Sequence, residues 1–139
     1  MNRYDFFKES IKNIKTAGTI TKSSKFLCER MVSHIDFEQA EVIVELGAGD
    51  GAITKHLLKN MKPTTQLLSF EVNEKLSSSL EKIDDKRFHL ITDSAENLPL
   101  YLNKLGFEQI DYIISALPFV IFPKELTNSI LEKSYQYLS

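Results

Sequence analysis

Val42-Ile43-Val44-Glu45-Leu46 is a short apolar run that stops abruptly at Gly47, Gly49 and Gly51, three glycines on alternate positions. A helical pattern then begins at Ala52. Strand, glycine turn and helix in this order predict the opening unit of a parallel α/β sheet. Glycine permits the tight turn and a close approach of the main chain to a ligand. The layout is therefore expected to bring Gly47, Ala48, Gly49 and Gly51, with their backbone N–H groups, toward a nucleotide-like molecule.

The rest of the chain extends the same alternation. Tyr4, Phe7, Ile11 and Ile14 recur at helical spacing over residues 3–15. Thr16 to Ser24 is a loop, and Ser23 or Ser24 caps a helix from about Lys25 to Ile35. Strands are expected at Val42–Leu46, Leu67–Glu71, Phe88–Ile91 and Ile110–Ser115. Helices are expected at Ala52–Asn60, at Glu74–Lys82 with Asn73 as cap, in part over Ala95–Leu105, and from about Pro123 to Tyr137. Strands alternating with helices imply right-handed crossovers and a doubly wound, Rossmann-like parallel sheet covered on both faces.

The 139 residues suit one domain, with residues 1–38 as N-terminal helices and lid and residues 39–139 as the core. A doubly wound sheet is expected to continue beyond the last helix. The fold is thus read as truncated before its C-terminal strands, with an open edge at the fourth strand where the chain could associate. A net charge of −2 gives no global pull toward nucleic acid. Cys28 is the only cysteine, which excludes a disulfide framework and a cysteine-based zinc site, and its neighbours Phe26, Leu27 and Met31 predict a buried thiol. His34, His56 and His89 show no metal-site spacing, so no metal is expected. No apolar run approaches ~20 residues, and Met1-Asn2-Arg3 leads into no signal-peptide core, so a cytoplasmic location is expected.

Four groups of residues are candidates for a site. Glu45 stands two residues before Gly47, where a dinucleotide fold places an apolar residue, and Asp50 adds negative charge that opposes a pyrophosphate. A phosphate-free ligand carrying an ammonium and a sulfonium suits this turn, and S-adenosylmethionine is such a ligand. Glu71, 20 positions after Gly51 and followed by Val72, closes the second strand where a carboxylate can hold two ribose hydroxyls. Asp93-Ser94-Ala95 ends the third strand, where Asp93 can cap the next helix or accept a hydrogen bond from an adenine amino group. Ser115-Ala116-Leu117-Pro118-Phe119 ends the fourth. There the proline stiffens the loop, and Phe119 either lies beside a cationic or planar amine or fills the core.

In this order the motifs resemble those of class I S-adenosylmethionine-dependent methyltransferases, over roughly residues 17–125. Glu45 to Gly51 is similar to that family's first motif. The resemblance implies cofactor contacts from Glu45, Gly47, Ala48, Gly49, Gly51, Glu71, Val72, Asp93, Ser94, Ala95 and Ser115. It also implies an acceptor site formed by Ser115, Leu117, Pro118 and Phe119. Gly18-Thr19-Ile20-Thr21-Lys22-Ser23-Ser24-Lys25-Phe26-Leu27 looks like the N-terminal segment of bacterial phospholipid N-methyltransferases, relatives of the ribosomal RNA adenine dimethyltransferases. In that group the segment covers the cofactor, which adds Thr21, Ser23 and Ser24 as contacts. Adenine dimethyltransferases usually show Asn or Asp where this chain has Ser115, and this difference favours a lipid amine such as phosphatidylethanolamine over RNA adenine.

Lys8, Lys12 and Lys15, with Phe6 and Phe7, either seat on an anionic membrane surface or leave an ordinary amphipathic helix packed on the domain. Two further readings compete with a methyltransferase: a nicotinamide-dependent oxidoreductase, which Glu45 and the loop at Ser115 disfavour, and a non-catalytic binding module.

Overall fold

The computed structural model describes residues 25–117 and 122–139. The expectations placed on residues 3–15, on Thr21, Ser23 and Ser24, and on Pro118 and Phe119 lie outside the described residues.

Four parallel strands form one sheet: β1 (Val42–Leu46), β2 (Gln66–Phe70), β3 (Phe88–Ile91) and β4 (Tyr112–Ser115), in the spatial order β3-β2-β1-β4. The order reverses at β1, so the crevice between β1 and β4 at their carboxyl ends is the topological switch point, where open α/β sheets bind ligands. Helices α1 (Lys25–Val32), α2 (Ala52–Asn60), α3 (Glu74–Leu80), α4 (Leu98–Leu105) and α5 (Lys124–Tyr137) connect and cover the strands, and a 3₁₀ turn spans Ala95–Asn97.

The alternation of strand side chains explains why β1 carries buried apolar residues on both of its faces. Val42, Val44 and Leu46 face a cluster with Phe70, Leu98, Leu102, Leu126 and Ile130, under α4 and α5. Ile43 faces the other way, with Leu67, Ile114 and, from α1 and α2, Val32, Ile53 and Leu57. Each of these buried apolar side chains contributes roughly 1.5–3 kcal/mol relative to exposure.

The element boundaries differ from expectation in ways that have local causes. The first described helix ends at Val32, and the chain reaches buried Ile35 through a turn closed by Ile35 N–H donating to the Val32 carbonyl (3.1 Å). β2 begins at Gln66 rather than Leu67, because Gln66 N–H donates to the Glu41 carbonyl beside it (2.8 Å). Helix α3 is capped as expected, with Asn73 Oδ1 accepting from the Lys75 and Leu76 amides, but it stops at Leu80, two residues short of the expected end. Ala95–Leu105 divides into the 3₁₀ turn and α4, with Pro99 in the first turn of the helix and Gly106 ending it at φ 81.

Ile110 lies outside β4. Its amide donates to the Tyr137 carbonyl (2.8 Å) and its carbonyl accepts from Ser139 N–H (3.0 Å), which forms a parallel bridge to Leu138. The expected open edge is therefore met at its start by the segment that follows α5. Beyond that bridge β4 is the last strand of the described sheet.

Candidate functional site

The glycine turn sits at the carboxyl end of β1, and Gly47, Gly49 and Gly51 all take positive φ (79, 59 and 83). Side chains other than glycine rarely adopt this backbone. The turn does not, however, present a row of free donors. Gly47 and Ala48 N–H both donate to the Phe70 carbonyl (2.9 and 3.0 Å), and Gly51 N–H donates to Ala48 O (3.0 Å). Gly49 N–H donates to Glu71 Oε1 (2.7 Å), and Ala52 N–H to Asp50 Oδ1 (2.9 Å). The expectation of amides aimed at a ligand is corrected accordingly, because those amides are spent within the protein. What the turn offers is bare main chain, and a Cβ built on Gly49 meets nothing within 4 Å.

Glu71 follows directly on β2 and is 4% exposed. Its Oε2 accepts from Asn73 N–H (2.9 Å), and with Gly49 on Oε1 the carboxylate is fixed from both sides. Glu71 lines a cleft together with Gly47, Phe70, Val72, Asp93, Ala95 and Leu117. Among the described residues this wall is apolar apart from two carboxylates, and none of those lining it is cationic.

Asp93 enters the cleft from the end of β3. Its Oδ1 accepts from Ser94 N–H (2.7 Å), Asn97 Nδ2 reaches both of its oxygens at 3.2 Å, and Oδ2 accepts from the Tyr101 hydroxyl (2.7 Å). The capping role considered for Asp93 belongs instead to its neighbour: buried Ser94 caps the 3₁₀ turn by accepting from Glu96 N–H (3.2 Å).

Glu45 was expected at the same rim, but the structure places it underneath. It shares the strand face of Ile43, opposite Ser69 on β2 and below α2, and it does not line the cleft. It is 1% exposed, and its Oε1 accepts from Thr54 Oγ1 (2.6 Å) and Ser69 Oγ (2.7 Å) while Oε2 has no partner. Burial drives its pKa up to about 7; the two hydroxyls oppose the rise, and the charges of Glu71 and Asp50 add to it.

Ser115 is exposed and accepts from Leu117 N–H through its hydroxyl (3.3 Å). This turn brings Leu117 onto the cleft, where a Cβ on Gly47 would lie 2.9 Å from Leu117 Cδ2. Ala48 and Gly51 are buried in the turn, and Gly51 caps α2. The structure thus gathers Gly47, Glu71, Val72, Asp93, Ala95 and Leu117 around one cleft.

Sequence reasoning did not reach Tyr101, Asn97 and Phe70. Tyr101 sits eight positions from Asp93 on a separate helix, and no spacing rule links the two. Ser69 and Thr54 did leave a signal, being polar residues set in apolar segments opposite the buried Glu45. Among the described residues no cluster of His, Cys, Asp and Glu is arranged to hold a metal, and no helix is long and apolar enough to cross a membrane.

The sheet order and the glycine turn define a Rossmann-like fold. An O-methyltransferase from Bacillus cereus, solved in complex with SAH, superposes with a TM-score of 0.66 at 16% identity, over 96% of this chain and 61% of that one, a likeness of fold alone. The model of the ribosomal RNA adenine dimethylase family matches residues 15–117. An ornithine lipid N-methyltransferase of Singulisphaera acidiphila is 30% identical over 136 residues, covering 96% of this chain and 71% of the relative. A ribosomal RNA small subunit methyltransferase A of Borreliella burgdorferi is 32% identical over 138 residues, covering 94% of this chain and 47% of the relative. The chain belongs to the ribosomal RNA adenine dimethylase family, whose cofactor is S-adenosylmethionine. It spans less than half the length of the ribosomal RNA methyltransferase and most of the lipid one.

The cleft fits that cofactor on its own chemistry. A phosphate-bearing dinucleotide would need donors or cations, but the turn's amides are largely committed and the only charged groups among the described residues of the wall are carboxylates. Apolar walls suit a purine base, and acidic groups suit hydroxyls and a positive sulfonium, so the lining is compatible with that cofactor.

Proposed function

We propose that this chain is the cofactor-binding part of an N-methyltransferase that acts on a lipid amine, with S-adenosylmethionine held in the cleft between Gly47, Glu71 and Asp93. The observation that carries this reading is the likeness to the ornithine lipid N-methyltransferase over nearly the whole chain. Phosphatidylethanolamine, which also presents a primary amine, is the acceptor we favour. Ser115 supports the lipid reading, because a single hydroxyl that already accepts from Leu117 N–H does not offer the paired amide or carboxylate contact that would grip an exocyclic amine.

In this proposal Glu71 takes the ribose hydroxyls and Asp93 the adenine amino group. Phe70, Val72, Ala95 and Leu117 enclose the base. Bare main chain at Gly49 lets the rest of the ligand lie close. When bound, S-adenosylmethionine supplies an electrophilic methyl on its sulfonium. The contribution of the chain is orientation and exclusion of water, which together account for much of the acceleration in such transfers. Leu117 forms the boundary between the cleft and the loop that leads to the acceptor.

Transfer to RNA adenine is the second reading, favoured by the ribosomal RNA methyltransferases among the relatives. Labelled methyl donor offered to the protein with vesicles containing phosphatidylethanolamine or ornithine lipid, and in parallel with ribosomal RNA, separates the two. Label in the lipid fraction supports the proposal, while label in RNA alone overturns it. Vesicle co-sedimentation with and without residues 1–16 tests peripheral membrane contact through Lys8, Lys12 and Lys15. Equal binding removes that role.

A further inference from the structure

Asp93 is held by its neighbours in one orientation, and the least conspicuous of them is the most informative. Tyr101 reaches it from α4, with its hydroxyl donating to Oδ2 at 2.7 Å. The ring of Tyr101 is fixed in turn. It stands edge-on to Phe70, with centroids 5.9 Å apart and planes at 83°, and Lys104 Nζ lies 5.9 Å from its centroid. Phe70 itself lines the cleft, so one packed unit joins the floor of the cleft, the tyrosine and the carboxylate.

We infer that Tyr101 is a positioning residue that sets base specificity: its hydroxyl fixes the Asp93 carboxylate so that the cleft takes a purine with an amino group at its six position and rejects one with an oxygen there. The inference rests on the adenine role proposed above for Asp93. A carboxylate presents acceptors only. Ser94 N–H, Asn97 Nδ2 and the Tyr101 hydroxyl already occupy much of its acceptor capacity. The capacity left on the cleft side therefore calls for a donor from the ligand. An amino group supplies it, whereas a carbonyl oxygen would face the carboxylate across a desolvated gap. Such a mismatch is penalised most when the carboxylate cannot turn away, and the tyrosine prevents it from turning.

The test compares S-adenosylhomocysteine with its inosine counterpart, in which oxygen replaces the adenine amino group, by calorimetry on the whole chain. The Tyr101→Phe variant keeps the ring against Phe70 and removes only the hydroxyl. It should lower the adenosyl-over-inosyl affinity ratio by about five- to tenfold. A purely structural role would weaken both ligands equally and leave the ratio alone. An unchanged ratio in Y101F, alongside a ratio that collapses in Asp93→Asn, overturns the inference and keeps the Asp93 assignment. An unchanged ratio in D93N overturns the Asp93 assignment and the inference with it. Should Y101F fold poorly by thermal melting, Asn97→Ala removes the other side-chain donor to Asp93, and a smaller fall in the same ratio supports the inference. A ratio unmoved by N97A counts against it.

Discussion

The amide of Gly49 donates to Glu71 Oε1 at 2.7 Å, and this bond ties the glycine turn after β1 to the end of β2. A carboxylate expected to serve a ligand therefore also holds the loop over which that ligand would lie. Its second oxygen, engaged by Asn73 N–H at 2.9 Å, connects the same group to the cap of α3.

Replacing Glu71 by Ala should consequently do two things. It should weaken binding of S-adenosylmethionine by about 1–3 kcal/mol through lost hydroxyl contacts. It should also lower thermal stability, because the Gly49 and Asn73 amides lose their acceptor. Glu71→Gln keeps an acceptor oxygen and should recover part of the stability. Calorimetry and thermal melting on both variants check this, and affinity unchanged in E71A removes the ribose assignment.

Gly47 and Gly49 have similar backbones and different surroundings, which separates two kinds of cost. Alanine at either position strains a left-handed conformation by about 1–2 kcal/mol. At Gly47 the new methyl also meets Leu117 Cδ2 at 2.9 Å, whereas at Gly49 it meets nothing within 4 Å. Gly47→Ala and Leu117→Ala should therefore be non-additive in urea unfolding, while Gly49→Ala and Leu117→Ala should add to within about 0.5 kcal/mol. Coupling of equal size in both pairs would contradict the contact.

Arg87 gathers the carboxyl end of α2. It donates to the carbonyls of Leu58 (2.8 Å) and Met61 (2.9 Å), and Asp85 accepts from its Nε (3.0 Å) and Nη2 (2.7 Å). The pairing raises the guanidinium pKa and lowers that of Asp85. Arg87→Lys loses the planar fork that serves both sets of acceptors, and a cost of about 1–3 kcal/mol in urea unfolding is expected. The Asp85 share of that stability is present above the ordinary carboxylate pKa and disappears as pH falls through its lowered value, so the gap between wild type and R87K should narrow in acid to the part carried by the Leu58 and Met61 carbonyls.

Much of this architecture was legible before any coordinates. The β1 run, the alternate glycines and Asn73 as a cap are local signals, and local physics decides them. Glu71 and Asp93 line one cleft because strand ends in a parallel sheet share an edge, a placement that the strand pattern makes readable. The orientation of Glu45 was not legible. It is set by which face of β1 the residue occupies, and a strand apolar on both faces conceals that. The amides of the turn also escaped, because their acceptors, the Phe70 carbonyl and Glu71, lie on the neighbouring strand and only the register brings them together.

The buried Glu45 makes stability depend on pH with a definite sign. Its carboxyl is pushed from 4.5 to about 7 in the folded chain, chiefly because burial disfavours the charge. Below pH 4.5 it is protonated in both states and contributes nothing unfavourable. Between that value and about 7 the unfolded chain ionises while the folded one holds its proton, so stability falls steadily as pH rises. Above about 7 both states are ionised, and the native state carries a penalty on the order of 3 kcal/mol. Glu45→Gln presents no titratable group, yet its amide oxygen still accepts from Thr54 and Ser69. Its stability should thus be flatter between pH 5 and 8, and its difference from wild type should move in favour of the variant as pH rises. Thermal melts of the two proteins across that range measure the slope directly. Parallel curves would mean that the carboxylate finds a partner for Oε2, or water, that relieves its burial.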